Sequence, residues 1–274
     1  MKKLVTRTIT GIVLVLLILT AILASQYSFA VLFLLIMTGG LIELANLYKE
    51  SDVEPNNWLI YLISFLLFGV SFFIAKWLID PKYSLALFPL FLVIMAAELY
   101  RKKPRPVENI AVTIFSIVYM AVPLALINFL VFPDIIPGHV YSPKLLIALF
   151  ILIWTHDSGA YLFGVSMGKH RLFERISPKK SWEGAIGGTL TAILASVLIS
   201  NYIPEIQLIH WIVISILAVI SSTFGDLTES MFKRYFQIKD SGHILPGHGG
   251  ILDRFDSILF AVPVVVLYLK IIIE

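Results

Sequence analysis

Read from its first residue, the chain alternates long apolar runs with short polar breaks. Runs long enough to cross about 30 Å of hydrocarbon fall near 8–25, 29–48, 58–79, 83–99, 109–132, 144–165, 184–203, 207–225 and 257–273. Each is as long as a membrane helix. The pattern therefore predicts an all-α, polytopic integral membrane protein with about nine transmembrane helices. The fourth and ninth runs are short, and Pro89 and Pro263 predict kinks in them. Met1-Lys2-Lys3 ahead of the first run has the look of a secretory signal. That run is long for a signal core and no convincing small-x-small site follows it, so it is read as the first retained helix.

The polar breaks carry the orientation. With nine spans and an inner N-terminus, 17 of the 21 Lys and Arg residues fall on inner segments, and only Lys76, Lys82, Lys144 and Lys270 stay outside. The positive-inside rule then places the N-terminus in the cytoplasm of a multi-pass protein of the bacterial cytoplasmic membrane. Two inner segments, 166–183 and 226–256, are long, polar and rich in Gly, Lys, Arg, His and Asp. No repeat or linker separates domains. The chain divides into an N-terminal part, 1–132, with about five spans, and a C-terminal membrane region, 133–274, that carries both polar segments.

Composition agrees. The 274 residues are 58% hydrophobic and 14% charged, with mean hydropathy +0.90, against roughly 25% charged and 45–50% apolar in soluble domains. So large an apolar excess needs lipid as its solvent. The absence of cysteine excludes disulfides, thiolate catalysis and Cys-ligated metals. The charge of +3 says less than its distribution, and nothing in it points to nucleic acid.

The stretch from Ser230 to Asp256 has three chemical parts. Lys233, Arg234 and Lys239 form a cationic cluster. Pro246-Gly247-His248-Gly249-Gly250 is a tight turn whose backbone can approach a ligand closely, and Gly-Gly before a helix start presents N–H groups to an anion. Asp253 and Asp256 stand at i, i+3, on one helix face. Cations, an anion-binding turn and paired carboxylates together suit a metal-bound polyphosphate, and Mg²⁺ takes one or two carboxylates plus phosphate oxygens. Asp226 is a third carboxylate able to reach the same place, with Glu229 one turn on. Taken singly, each Lys or Arg reads as well as a membrane anchor and each Asp as a helix cap. Taken together they do not, because anchors need neither His-Gly-Gly nor three convergent Asp.

The other polar block is Asp157-Ser-Gly-Ala-Tyr161, Gly168-Lys169 and Ser177-Pro-Lys179-Lys180-Ser181-Trp-Glu183-Gly184. Asp157 lies inside an apolar run, where an acid costs at least about 2.5 kcal/mol and normally faces a partner or a water-filled cavity. Ser177, Lys179, Lys180 and Ser181 offer hydroxyl and ammonium groups to phosphate. The alternative is a capped helix start with an early proline and basic residues facing lipid headgroups. Glu43 and Glu98 are also intramembrane acids, left without a role. His139 and His210 read as loop or interface residues, and His156 points away from its neighbour Asp157. Residues 101–105 read as a lipid-surface anchor.

The 27-residue stretch Ser230–Asp256 resembles the C-terminal signature of the phosphatidate cytidylyltransferase (CDP-diacylglycerol synthase) family. Its Ser-x-apolar-Lys-Arg, Lys-Asp-x-Gly and Leu-Pro-x-His-Gly-Gly-apolar-x-Asp-Arg-apolar-Asp elements are all met without a gap. The second polar block is similar to the family's other polar block, so specific likeness covers roughly the last 120 residues.

The resemblance implies a nucleotidyl transfer in phospholipid biosynthesis: CTP and phosphatidate give CDP-diacylglycerol and pyrophosphate. It implies dependence on Mg²⁺, with room for a second ion such as K⁺, and a homodimer among membrane lipids. It also implies a metal site on residues matching Asp226 and Asp253, joined here by Asp256, with Asp157 as an orienting acid. Phosphate contacts are expected from Lys233, Arg234, Lys239, Lys179, Lys180 and Arg254. His248, Gly249 and Gly250 would hold the triphosphate, and His243 would donate to it. Lys169, Ser177, Ser181 and Asp240 complete the expected substrate contacts. A CDP-alcohol phosphatidyltransferase would carry Asp-Gly-x-x-Ala-Arg, which is absent. An ion or anion transporter using Asp157 and Asp226 is the alternative from another class, but no paired broken helices suggest inverted repeats.

Overall fold

A computed structural model describes residues 2–49, 51–135, 140–242, 244 and 249–273, with side chains from residue 9 to residue 272 within those ranges. Apolar runs of membrane length become helices because only a helix satisfies its own backbone in lipid. They are α1 (Lys2–Ala24), α2 (Gln26–Leu47), α3 (Asn57–Ala75), α4 (Pro81–Arg101), α5 (Pro106–Val131), α6 (Lys144–Met167), α7 (Trp182–Tyr202), α8 (Leu208–Tyr235) and α9 (Leu252–Ile273). Among the described residues, eight are long and apolar enough to cross a membrane, and α1 adds the shorter apolar stretch Ile9–Ala24. The expected all-α, multi-pass architecture of about nine spans is met. Pro89 marks the change in α4 from a 3₁₀ start, Pro81–Leu87, to α-helix. Pro263 lies inside α9.

Two boundaries differ from the hydropathy reading in ways that bear on function. Helix α8 does not stop near residue 225 but runs to Tyr235. Helix α9 starts at Leu252 rather than near 257. Hydropathy drops at both places while helical pairing continues. Asp226 receives the Ser230 hydroxyl at 3.3 Å and Glu229 pairs with Lys233, both at i, i+4, the spacing that brings helix side chains together. The polar segment after α6 holds an antiparallel hairpin, β1 (Arg171–Phe173) and β2 (Ser177–Ser181), with Arg171 opposite Ser181 and Phe173 opposite Ser177.

The chain forms two compact units. Unit 1 comprises Met1–Phe132, Gly138–Tyr141 and Asp240–Arg254; unit 2 comprises Pro133–Pro137, Ser142–Lys239 and Phe255–Glu274. In unit 1, Phe29, Phe33, Phe72, Phe132 and Tyr141 meet in an aromatic cluster, tilted or edge to face. The Tyr141 hydroxyl donates to the Ile22 carbonyl at 2.5 Å. Several polar groups within the spans are paired, as a lipid solvent favours. Asn128 donates to Ser71 Oγ at 2.8 Å. Glu98 accepts from Arg101 and Asn109, both at 2.7 Å, and Asn109 in turn accepts from the Glu54 N–H at 2.7 Å. Glu98 therefore fastens the loop after α2 to α4 and α5. In unit 2, α6 and α7 pack closely along small residues, and Thr191 Oγ1 reaches the Thr155 carbonyl at 3.1 Å.

Candidate active site

Helix α8 is the spine of the site in unit 2. Its closing turn is a Schellman arrangement. Gln237 adopts φ 54°, the Gln237 N–H donates to the Arg234 carbonyl at 3.3 Å, and the Ile238 N–H donates to the Lys233 carbonyl at 2.9 Å. The 5→2 and 6→1 bonds satisfy carbonyls left over at a helix end. Lys233 and Arg234 in this last turn also sit at the negative end of the helix dipole. Around the turn, Ser230, Lys233, Arg234, Gln237, Ile238 and Lys239 line a cavity of about 590 Å³. Three of these six are cationic.

One turn deeper, Asp226 and Glu229 of α8 meet Asp256 of α9. One carboxylate oxygen from each lies within 4.8 Å of the others. Glu229 is 3% exposed and Asp256 is 8% exposed. Ionised acids at that separation repel by about 3–4 kcal/mol per pair at an effective dielectric near 20, a repulsion that nearby cations relieve. Two are supplied by the chain. Lys180, from β2, places Nζ 2.6 Å from Asp226 Oδ2, and Lys233 pairs with Glu229. Asp157 of α6 lies in the fields of Asp226 and Lys180, and Asp256 in those of Asp226, Lys180 and Lys233. Four carboxylates against two ammonium groups leave a formal deficit of positive charge that suits a divalent ion.

The hairpin is held by both its ends. Arg234 Nε approaches the Ile176 carbonyl at 3.5 Å. Glu183 accepts from the Lys169 and His170 N–H groups at 3.1 and 3.2 Å, and meets His170 Nδ1 at 2.6 Å. Lys169 and Lys179 are exposed and Ser177 is half-buried. Ser181 is buried, and its hydroxyl accepts from the Gly184 N–H at 3.2 Å as the N-cap of α7. That is the helix-cap alternative weighed for this segment.

Unit 1 holds the other part of the signature stretch. Asp253 Oδ2 accepts from the Ser241 N–H at 2.9 Å, the Ser241 hydroxyl at 3.0 Å and the Gly250 N–H at 2.7 Å. Gly249 adopts φ 84°, a left-handed backbone that favours glycine. Asp240 and Arg254 are exposed. His243 and His248 lie outside the described residues.

The structure thus brings together Asp226, Asp256, Asp157, Lys180 and Lys233, and sets Arg234 and Lys239 around one cavity. It adds Glu229, whose position three residues after Asp226 on a continuing helix was the available signal. It also engages Glu43 of α2, whose carboxylate meets the N–H of Ile251, 208 positions away, at 2.8 Å. No local pattern in the sequence announces that contact. His210 meets the Tyr268 hydroxyl at 3.0 Å and His156 meets Thr223 Oγ1 at 3.4 Å, both links between helices.

Known proteins are similar to this chain in sequence. The chain is 46% identical over 124 residues to a phosphatidate cytidylyltransferase of Haemophilus influenzae, a match covering 43% of each chain. It is 49% identical over 116 residues to the phosphatidate cytidylyltransferase of Staphylococcus aureus, covering 42% of this chain and 44% of that one, and 48% identical over the same length to that of Staphylococcus epidermidis. The matched stretch spans less than half the length of these relatives. The sequence pattern of the cytidylyltransferase family, by contrast, matches residues 5–272, so that the helices of both units and the acidic cluster fall within it. The chain belongs to the cytidylyltransferase family.

Proposed function

We propose that the protein is a phosphatidate cytidylyltransferase. In the proposed reaction a phosphate oxygen of phosphatidate attacks the α-phosphorus of CTP. The bond from the α-phosphorus to the bridging oxygen breaks, and pyrophosphate leaves with that electron pair. The observation that carries this reading is the convergence of Asp226, Glu229 and Asp256 with Lys180 and Lys233 beside a basic cavity.

A phosphomonoester loses its second proton near pH 6, so the nucleophile is already anionic and needs no strong base. The obstacle is repulsion between two phosphate-bearing substrates. Lys180 and Lys233 lie where they can turn from the acids to phosphate oxygens, and Arg234 and Lys239 extend that positive lining. Such fixed cations hold the reacting groups in line while neutralising their charge.

The acids fit a divalent ion in type and number. Carboxylate oxygens within 4.8 Å of one another need only small movements to meet the 2.0–2.1 Å bonds of Mg²⁺. We assign Asp226, Glu229 and Asp256 to Mg²⁺, with Asp157 orienting. Asp253, one turn before Asp256 on α9, is the further carboxylate of the signature and stays proposed as a metal ligand with Asp226 and Asp256. When bound, the ion would neutralise the triphosphate; a second ion such as K⁺ belongs to the same proposal. Gly249, Gly250 and Arg254 are proposed contacts of the nucleotide, as are Lys169, Ser177, Lys179 and Asp240 of the substrates. A cytoplasmic N-terminus, which puts both polar segments on the side where CTP is found, and a homodimer complete the reading.

The test is an assay of the purified full chain with labelled CTP, phosphatidate and Mg²⁺. Formation of a labelled liponucleotide together with pyrophosphate is expected. A protein that makes none, or an Asp226→Asn variant with unchanged turnover, would sink the assignment.

A further inference from the structure

We propose that Glu43, a buried acid of α2, is a positioning residue that presents the Gly249–Gly250 turn and Asp253 for nucleotide binding. Its consequence for turnover rests on the cytidylyltransferase reading above; its geometry does not.

Helix α9 has an apolar residue at its N-cap position. The residue before its first helical position is Ile251, whose side chain can accept no hydrogen bond, whereas Ser, Thr, Asp or Asn normally serves there. The N–H groups at that end still need acceptors. Glu43 supplies them from another helix. Its Oε1 accepts from the Ile251 N–H at 2.8 Å, and its Oε2 accepts from the Leu252 N–H at 2.9 Å and from the Ser241 hydroxyl at 3.3 Å. The carboxylate is 2% exposed and lies at the positive end of a helix dipole, where an anion is favoured. An intramembrane acid and a helix start with an apolar N-cap residue thus satisfy each other.

The contact reaches the proposed nucleotide machinery through Ser241. That hydroxyl lies between Glu43 Oε2 and Asp253 Oδ2, and Asp253 Oδ2 also takes the Gly250 N–H. The turn is pressed onto the acid. A Cβ at Gly242 or at Gly250 would run into the Glu43 carboxylate, and one at Gly250 would also meet Ser241 Oγ. Two glycines of the signature are therefore accounted for by a side chain some 200 positions earlier. Glutamine cannot replace Glu43: two backbone N–H groups approach two different oxygens, and an amide turns one acceptor into a donor.

The experiment compares the full-length wild type, Glu43→Gln and Glu98→Gln in detergent. Glu98 is the control, a buried acid of the same unit bonded to Arg101 and Asn109 instead. Backbone hydrogen exchange in peptides covering 249–256 should accelerate in Glu43→Gln alone, with the other helices unchanged. With phosphatidate, CTP and Mg²⁺, Glu43→Gln should lose about 10–100-fold in kcat, at a melting temperature equal to that of Glu98→Gln. Unchanged exchange at 249–256 in Glu43→Gln overturns the proposal, and so does an equal loss of turnover in Glu98→Gln. If the wild type forms no CDP-diacylglycerol, the functional reading falls by itself. The exchange result then decides the role of Glu43 alone.

Discussion

The carbonyl group of Asp256 fills the space that a Cβ on Gly225 would need, with Ser257 Cα 3.2 Å from the same point. Helices α8 and α9 therefore cross backbone against backbone, an approach that small residues permit. The crossing falls one residue before Asp226, so it sets how closely Asp226 and Asp256 converge. Gly225→Ala should push the two helices apart and cost about 100-fold in turnover, since a displacement of about 1 Å has that effect in a catalytic site. Liponucleotide formation measures it. A fully active Gly225→Ala variant would show that the close crossing is not what assembles the cluster.

Removing one acid from the cluster should weaken metal binding as well as turnover. Asp226→Asn and Asp256→Asn keep side-chain volume but remove a charge. Each should lower kcat by more than about 10-fold and raise the Mg²⁺ concentration needed for half-maximal rate. Titration of activity with Mg²⁺ is the measurement. An unchanged Mg²⁺ midpoint in both variants would place the ion elsewhere.

Lys180 gives a prediction with two opposite signs. Its ammonium group occupies Asp226, so it competes with a metal ion for that carboxylate. Lys180→Met should tighten Mg²⁺ binding while slowing transfer, because a phosphate partner is lost. Loss of both together would mean that Lys180 only holds the hairpin in place.

The cavity at the end of α8 should read charge more than shape. Arg234→Gln and Lys239→Gln are each expected to raise the KM for CTP about 2–5-fold, the modest scale of exposed ion pairs. The effect should shrink as salt is added. A change in kcat with KM unaltered would move these residues from substrate capture to the chemical step.

Orientation has a direct check, and the lack of native cysteine leaves it free of background. Cysteines introduced singly at Lys103, Lys180 and Ser241 should be shielded from an impermeant reagent added outside sealed cells. Labelling of any one of the three would reverse or break the proposed topology.

Much of this was readable in the residues because lipid imposes a simple rule. Runs such as 58–79 and 144–165 are too long and too apolar for anything but a span, and the helices α3 and α6 bear that out. Asp157 stood out for a similar reason, as an acid where acids are costly. Hydropathy was blind to the last ten residues of α8, since Asp226, Glu229, Lys233 and Arg234 look like a loop until their four-residue pairing is counted. It was equally blind to the hairpin 171–181, whose strands are short and polar. Glu43 was visible as an intramembrane acid but not as a cap, because its partners lie on the far side of the sequence. Ser181 shows another limit: a hydroxyl suited to phosphate also accepts the Gly184 N–H as the cap of its own helix, and the sequence does not tell the two roles apart.

A helix of 28 residues is about 42 Å long, roughly 12 Å more than the hydrocarbon it must cross. In α8 the surplus is the rigid stub bearing Glu229 and the two basic residues of its last turn, with Asp226 at its base. Bilayer depth then becomes a control on the reaction centre, because no hinge lets the stub ride independently of its span. Thickening the membrane draws the acids toward the acyl chains, and thinning it lifts them away from the headgroup of the proposed substrate. Through one stiff rod, the proposed reaction would take place at a height set by lipid composition.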